Sequence, residues 1–190
     1  MKKILIIFTL TILSSIALYG CQKTEQVKDE EQSPKPDELY TISEVVEGDL
    51  IYRLISEEEH YDEGENVEIF AELEYAGQKA EVEISHGSSP FLFPMTETTR
   101  DYEIEYAVTM VGKRTVLKKG EPMRQELNGG GSYSDQDKEE YKEFMKKVMK
   151  ANYPSGHYIV DGRANFYVED EMEKEYTIEA QIEFYVDREK

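Results

Sequence analysis

The residues able to do chemistry in this 190-residue chain are one cysteine, Cys21, three histidines, His60, His86 and His157, and a large surplus of carboxylates. The histidines stand singly, without HExxH or any other ligand spacing, so a transition-metal site would need the fold to converge them. Met145 and Met149 fall on a helical stripe and read as packing residues, not as soft metal ligands. The stretch SHGSSPF, residues 85–91, sets His86 among serines, but it matches neither G-x-S-x-G nor S-x-x-K. It reads as a turn between strands, with Pro90 marking an edge. Two acid-rich loops, EEEHYDEGE (57–65) and EDEMEKE (169–175), carry hard oxygen ligands of the kind Ca²⁺ takes, without the spaced loop of a calcium hand. They read as solvated hairpin tips at opposite ends of the domain. No glycine-rich phosphate loop follows a strand, and with 41 acidic residues chance alone supplies carboxylate pairs. We therefore assign no catalytic, cofactor-binding or metal-binding residue from the sequence, and expect no enzyme and no cofactor.

Cys21 has a different use. Met1-Lys2-Lys3 precedes an apolar run from Ile4 to Leu18 that only Thr and Ser interrupt. This order matches the charged and apolar regions of a secretory signal, and the run is shorter than the roughly 20 residues of a membrane-spanning helix. It ends at Leu18-Tyr19-Gly20-Cys21, which resembles the lipobox of bacterial lipoproteins: an aliphatic residue, a tolerant position, a small residue, then cysteine. The resemblance implies a diacylglycerol on the Cys21 sulfur, cleavage after Gly20, and a chain held on the outer face of the cytoplasmic membrane. Buried acyl chains contribute about 0.8 kcal/mol per CH₂ and one chain anchors only marginally, so two or more on one residue are needed for a firm hold. No cysteine follows Cys21, so the exported part has no disulfide and must be stabilised by burial.

The chain carries 22 Lys+Arg and 41 Asp+Glu; removal of Lys2 and Lys3 with a leader leaves 20 against 41, a net charge of −21. That surplus excludes the basic footprint of a nucleic-acid binder. Residues 21–38 then read as the lipidated cysteine and a disordered acidic tether, with Val27 the single apolar residue between Gln22 and Glu38.

Residues 39–190 alternate as β-strands do. Val67, Ile69, Ala71, Leu73 and Tyr75 share one face, with Glu68, Phe70, Glu72 and Glu74 on the other. Tyr176, Ile178, Ala180, Ile182, Phe184 and Val186 share another face, opposite Thr177, Glu179, Gln181, Glu183 and Tyr185. Ala80, Val82 and Ile84, and Tyr102, Ile104, Tyr106, Val108 and Met110, repeat the pattern. Glutamate at alternate positions marks sheets with one wet face, an antiparallel trait. Strands are expected near 49–56, 66–75, 79–86, 91–95, 101–111, 114–125, 156–168 and 175–187. The fold class is mainly β: an immunoglobulin-like antiparallel β-sandwich. Tyr158 reads as either a tyrosine corner or an ordinary core tyrosine.

One amphipathic helix is inserted at about 134–150, with Tyr141, Phe144, Met145, Val148 and Met149 in one stripe. Ser134 is positioned to cap it, and Pro154 stops it. The glycines of NGGGS, residues 128–132, read as a connector with little preferred geometry. Across residues 48–187 the strand spacing loosely resembles the intracellular proteinase inhibitor family, also a sandwich. The expected function is a non-catalytic binding module of the cell envelope, membrane-bound through acyl chains on Cys21, with an envelope protein as partner. The alternatives are an inhibitor-like sandwich and an envelope ligand- or cation-binding protein. Replacing Cys21 by Ala is expected to shift the protein from the membrane fraction to the soluble exported fraction. Mass spectrometry that finds the native thiol unmodified would remove the anchor.

Overall fold

The computed structural model describes residues 40–169 and 174–188; Cys21, the leader and the tether lie outside them. The described chain is mainly β, with two sheets and one short helix, a sandwich-like body. The first sheet has four strands, β1 (Thr41–Glu47), β2 (Leu50–Ser56), β4 (Ile69–Tyr75) and β10 (Met123–Glu126), in the order β1-β2-β4-β10. The second is built on β11 (Gly156–Val168) and β12 (Glu175–Asp187), to which β3 (His60–Asp62), β5 (Glu81–His86) and β9 (Lys113–Lys118) are added. Three short strands, β6 (Phe91–Leu92), β7 (Met95–Glu97) and β8 (Tyr102–Ile104), complete it. The helix α1 spans Glu139–Val148.

β11 and β12 pair antiparallel from Gly156↔Val186 to Tyr167↔Glu175. Along its other edge β11 meets β5 at residues 167–168, β6 at 163–164 and β7 at 158–160. β6 and β7 share one register on β11 with Pro94 near their junction, whereas β5 is offset from them by three residues, with the Gly87–Pro90 segment between. Proline has no N–H to donate to a ladder. Its carbonyl still accepts, and Asn165 N–H donates to Pro90 O (2.7 Å) and Asp161 N–H to Pro94 O (2.9 Å). Beyond this offset the sheet forks: β5 continues into β9, and β7 into β8.

The two sheets meet over a row of small residues. A Cβ on Gly162 of β11 would stand 2.7 Å from Tyr52 Oη and 2.8 Å from Leu54 Cδ2, both on β2. Glycine there lets the sheets approach. At the far end of β11 the core is aromatic: Tyr158 stacks on Phe184 at 4.8 Å, and Tyr153 meets both rings edge-on. Tyr158 Oη donates to Pro154 O at 2.6 Å, four residues upstream, the kind of hydrogen bond that a tyrosine corner makes. On the wet face of the first sheet a single cross-strand row alternates in sign: Glu44, Arg53, Glu72, Arg124. Arg53 reaches Glu44 at 2.6 Å and Glu74 at 2.7 Å, and the Arg124 guanidinium covers Phe70 at 3.1 Å from the ring centre. Phe70, on the polar side of the alternation, is buried by that cover.

Several expectations need correction. β1 was not among the expected strands, and β3 lies within a loop read as a mere tip; it pairs parallel with β12, so the second sheet is not purely antiparallel. The expected strand at 101–111 ends at Ile104, and Met110, placed inward by its pattern, is 90 % exposed. Ala80 is exposed as well. The helix starts at Glu139, five residues later than expected, and no side chain caps it. Ser134 instead closes a turn ahead of it, its N–H donating to Asp137 Oδ2. Phe144, Met145 and Val148 are buried, whereas Met149 is half exposed. Glycines 129–131 are closely packed rather than loose. Gly129 (φ 69°) leaves room for Met149 O, Gly131 (φ 79°) for the Met145 methyl, and Gly131 N–H donates to Glu105 O at 2.8 Å. Side chains are missing there because the helix end occupies their space.

Gly162→Ala is expected to lower stability by about 1–3 kcal/mol, since the added methyl has no room between rigid neighbours. Gly112→Ala, where nothing lies within 4 Å, is expected to stay within about 0.5 kcal/mol. Urea denaturation of both variants checks the pair.

Candidate functional site

The fork in the second sheet leaves a groove of about 330 Å³, floored by Asn165, Phe166 and Tyr167 of β11. One wall is the Ser85–Ser89 turn at the end of β5, and the other is Val108 and Met110. Those two residues belong to the segment 105–112, which bridges β8 and β9 without regular structure. The bridge is braced. Ser88 N–H donates to Thr109 O (2.8 Å) while Thr109 N–H donates to Ser88 Oγ (3.1 Å). A Cβ on Gly87 would sit 3.0 Å from Thr109 O, so glycine lets the bridge lie this close without displacing it. Tyr106 packs edge-on against buried Phe93 at 5.4 Å. Beyond these anchors the tip projects outward, with Met110 90 % and Val111 61 % exposed. Exposed apolar side chains contiguous with an apolar groove are the usual mark of a contact surface.

His86 stands in the groove wall with both nitrogens occupied: Nδ1 donates to Gly87 O (2.8 Å), and Nε2 accepts from the Thr115 hydroxyl (2.9 Å). Burial pushes its pKa below the ordinary 6.5, against the opposing pull of the Gly87 carbonyl and with a smaller push from Lys113. The neighbouring hydroxyls are also committed. Ser89 Oγ donates to Gln125 Oε1 at 2.7 Å and accepts from Phe91 N–H, while Ser88 Oγ accepts from Thr109 N–H, so both hydroxyls are engaged away from the imidazole. Asn165 Oδ1 is buried at the floor without a hydrogen-bond partner.

The other two histidines, which look isolated in sequence, are brought together at the opposite end of β12. His60 on β3 and His157 on β11 are both register partners of Tyr185. Their rings stack on its two faces, at 4.8 Å and 4.4 Å. Each imidazole donates to a carboxylate, His60 Nδ1 to Asp187 (3.1 Å) and His157 Nε2 to Glu183 (2.9 Å). The tyrosine between them keeps the rings apart, so the pair forms a pillar and not a chelate. Close by, Glu97 is fully buried and fully paired, accepting from the N–H groups of Thr99 and Arg100 and from the Arg100 guanidinium at 3.0 Å. It ties the β7–β8 turn to the start of β11, where Gly156 leaves room for its carboxylate.

Of the acid-rich loops, the first lies beside the end of β12 and the second precedes its start, so they are a full strand apart. Residues 170–173 of the second fall outside the described residues. In the first, a hydrogen bond shared with Glu68 raises the Glu57 pKa, burial adding to it. Among the described residues no three His, Cys, Asp or Glu side chains converge as metal ligands. The Met110 tip and the Tyr185 pillar escaped the sequence reading; the pillar's signal was the fixed spacing of His157 and Tyr185 across one long hairpin. No protein-family model matches this chain, and no curated protein matches it.

A depressed His86 pKa means that the unfolded chain takes up the proton first as pH falls. The His86 contribution is complete above the unfolded value and is lost below it. The stability gap between the wild type and His86→Gln is therefore expected to narrow between about pH 7.5 and pH 5.5. Denaturation curves at both pH values measure it; a gap that widens contradicts the assignment.

Proposed function

We propose that this chain is a lipid-anchored extracytoplasmic protein whose sandwich is a non-catalytic interaction module, tethered through Cys21 and facing a protein of the cell envelope. The braced bridge at 105–112 carries this reading, because it holds Met110 and Val111 out over an apolar groove. Exposed apolar side chains continuous with an apolar groove form the kind of patch that marks a contact site. The engagement of His86 by Thr115 and Gly87, and of Ser89 by Gln125, favours a binding role for the groove over a hydrolytic one. The corner-type hydrogen bond at Tyr158 supports reading the two-sheet body as immunoglobulin-like.

A second reading is favoured by the same bridge. Thr109 is fixed on both its N–H and C=O sides by Ser88 while the next residue projects. A pre-ordered extended loop loses little entropy when a protease cleft closes over it, which supports an inhibitor-like role.

A photo-crosslinking amino acid at position 110, in the lipidated protein in intact cells, separates these readings. A discrete product from position 110 that is absent from a probe at Met149, just past the helix, is expected for an interaction module. If that product is a protease silenced by stoichiometric amounts of this protein, the inhibitor reading replaces it. Equal labelling from both positions would remove the groove from consideration.

A further inference from the structure

The ends of the two sheets are guarded unequally. β9 carries Lys113, Arg114 and Lys118, and β8 lies under α1, whose Tyr141 and Phe144 rings pack on Tyr102. β3 spans only three residues, and β10 follows directly on the break at Pro122. β1 has none of these protections. It runs seven residues, Thr-Ile-Ser-Glu-Val-Val-Glu, in unbroken register with β2, with no lysine, arginine, proline, glycine or bulge. Among the described residues, its outward backbone edge has no hydrogen-bonded neighbour. Ile42 and Val46 are exposed on its wet face, on either side of Glu44. A long, flat edge with exposed β-branched residues is a template for another strand.

The side chains specify which strand. The row Arg124, Glu72, Arg53, Glu44 alternates in sign across all four strands and stops on the acid at the open edge. On either side, Ile42 faces Ile55 and Val46 faces Ile51, so two apolar rows also stop there. The next strand that extends all three rows has an apolar residue, then a lysine or arginine two positions on, then a second apolar residue two further.

We infer that β1 is a docking edge for an extended partner segment of apolar–x–basic–x–apolar pattern, which adds to the first sheet as a fifth strand. Main-chain hydrogen bonds hold the segment, and the exposed side chains of Ile42, Glu44 and Val46 select it. The chain's net charge of −19 draws a basic segment inward. Symmetric pairing with a second copy would instead centre Glu44 on its own equivalent and bring two acidic bodies together, so we take the partner to be a different, basic chain. This edge is separate from the groove at 105–112, and its failure leaves the groove reading untouched.

The test uses the full-length protein in detergent and two synthetic peptides, Thr-Val-Thr-Lys-Thr-Val-Thr and the same sequence with Glu in place of Lys. The lysine peptide is expected to bind about fivefold more tightly than the glutamate peptide, from one favourable against one unfavourable cross-strand charge pair. Hydrogen-exchange protection is expected to appear at residues 41–47. Glu44→Lys should reverse the order of the two peptides. Ile42→Lys, which leaves the Glu44–Arg53 pair in place, should weaken both. Equal binding of the two peptides, protection elsewhere in the chain, or a β1-mediated dimer in sedimentation that Ile42→Lys dissolves would each overturn the proposal.

Discussion

The antiparallel pairing of Gly156–Val168 with Glu175–Asp187 is the constraint on which the rest of the structure depends. A single long hairpin offers its full length as a floor: β3, β5, β6 and β7 dock on its two edges, and β9 and β8 are added to β5 and β7. Its inner face supplies an alternating series, Tyr158, Val160, Gly162, Ala164, Phe166 and Val168 on one strand and Tyr176 to Val186 on the other, that is buried throughout. The small residues in the middle of that series bring the first sheet close, and the aromatic ones at its end close the core around Tyr153 and Phe184. With no disulfide available, this burial is what holds the domain together.

The same hairpin explains the irregular half of the fold. Between β5 and β6 the register on β11 shifts by three residues, which the Gly87–Ser89 turn takes up, whereas β6 and β7 keep one register through Pro94. At that turn the sheet splits into branches that leave with β9 and β8. The groove is the space between the branches, and the 105–112 bridge is the chain that must cross it. The groove thus lies where the inserted Gly87–Ser89 turn separates β5 from β6 along β11. On the other sheet no proline intervenes, and the wet face is instead knit by charge, with acids and arginines alternating strand by strand.

Much of this was legible in the residues themselves. The period-two pattern located β4, β11 and β12 with their buried faces, because a strand with one wet face writes its orientation directly into the sequence; β2 and β5 were placed as strands, β5 with Ala80 wrongly turned inward. The helix stripe was equally clear. β1 was not, since an edge strand buries neither face fully and Ile42 and Val46 share a face with Glu44. β3 escaped because three residues show no period, and its partner lies more than a hundred positions away. Met110 continued an inward pattern in sequence after the strand itself had ended, and alternation loses its meaning once the ladder stops.

The sequence by itself determined the strand content, the faces of the long strands, the acidic exterior and the absence of any disulfide, all properties carried by residues close together along the chain. Only the tertiary structure decided what the histidines, glycines and prolines do. His60 and His157 meet on Tyr185, Gly129 and Gly131 make room for a helix end, and Pro90 and Pro94 accept from Asn165 and Asp161 across the sheet. The reason is that each of these depends on what stands across from the residue in space. Backbone pairing sets that neighbour from a distant segment, and no local spacing encodes it.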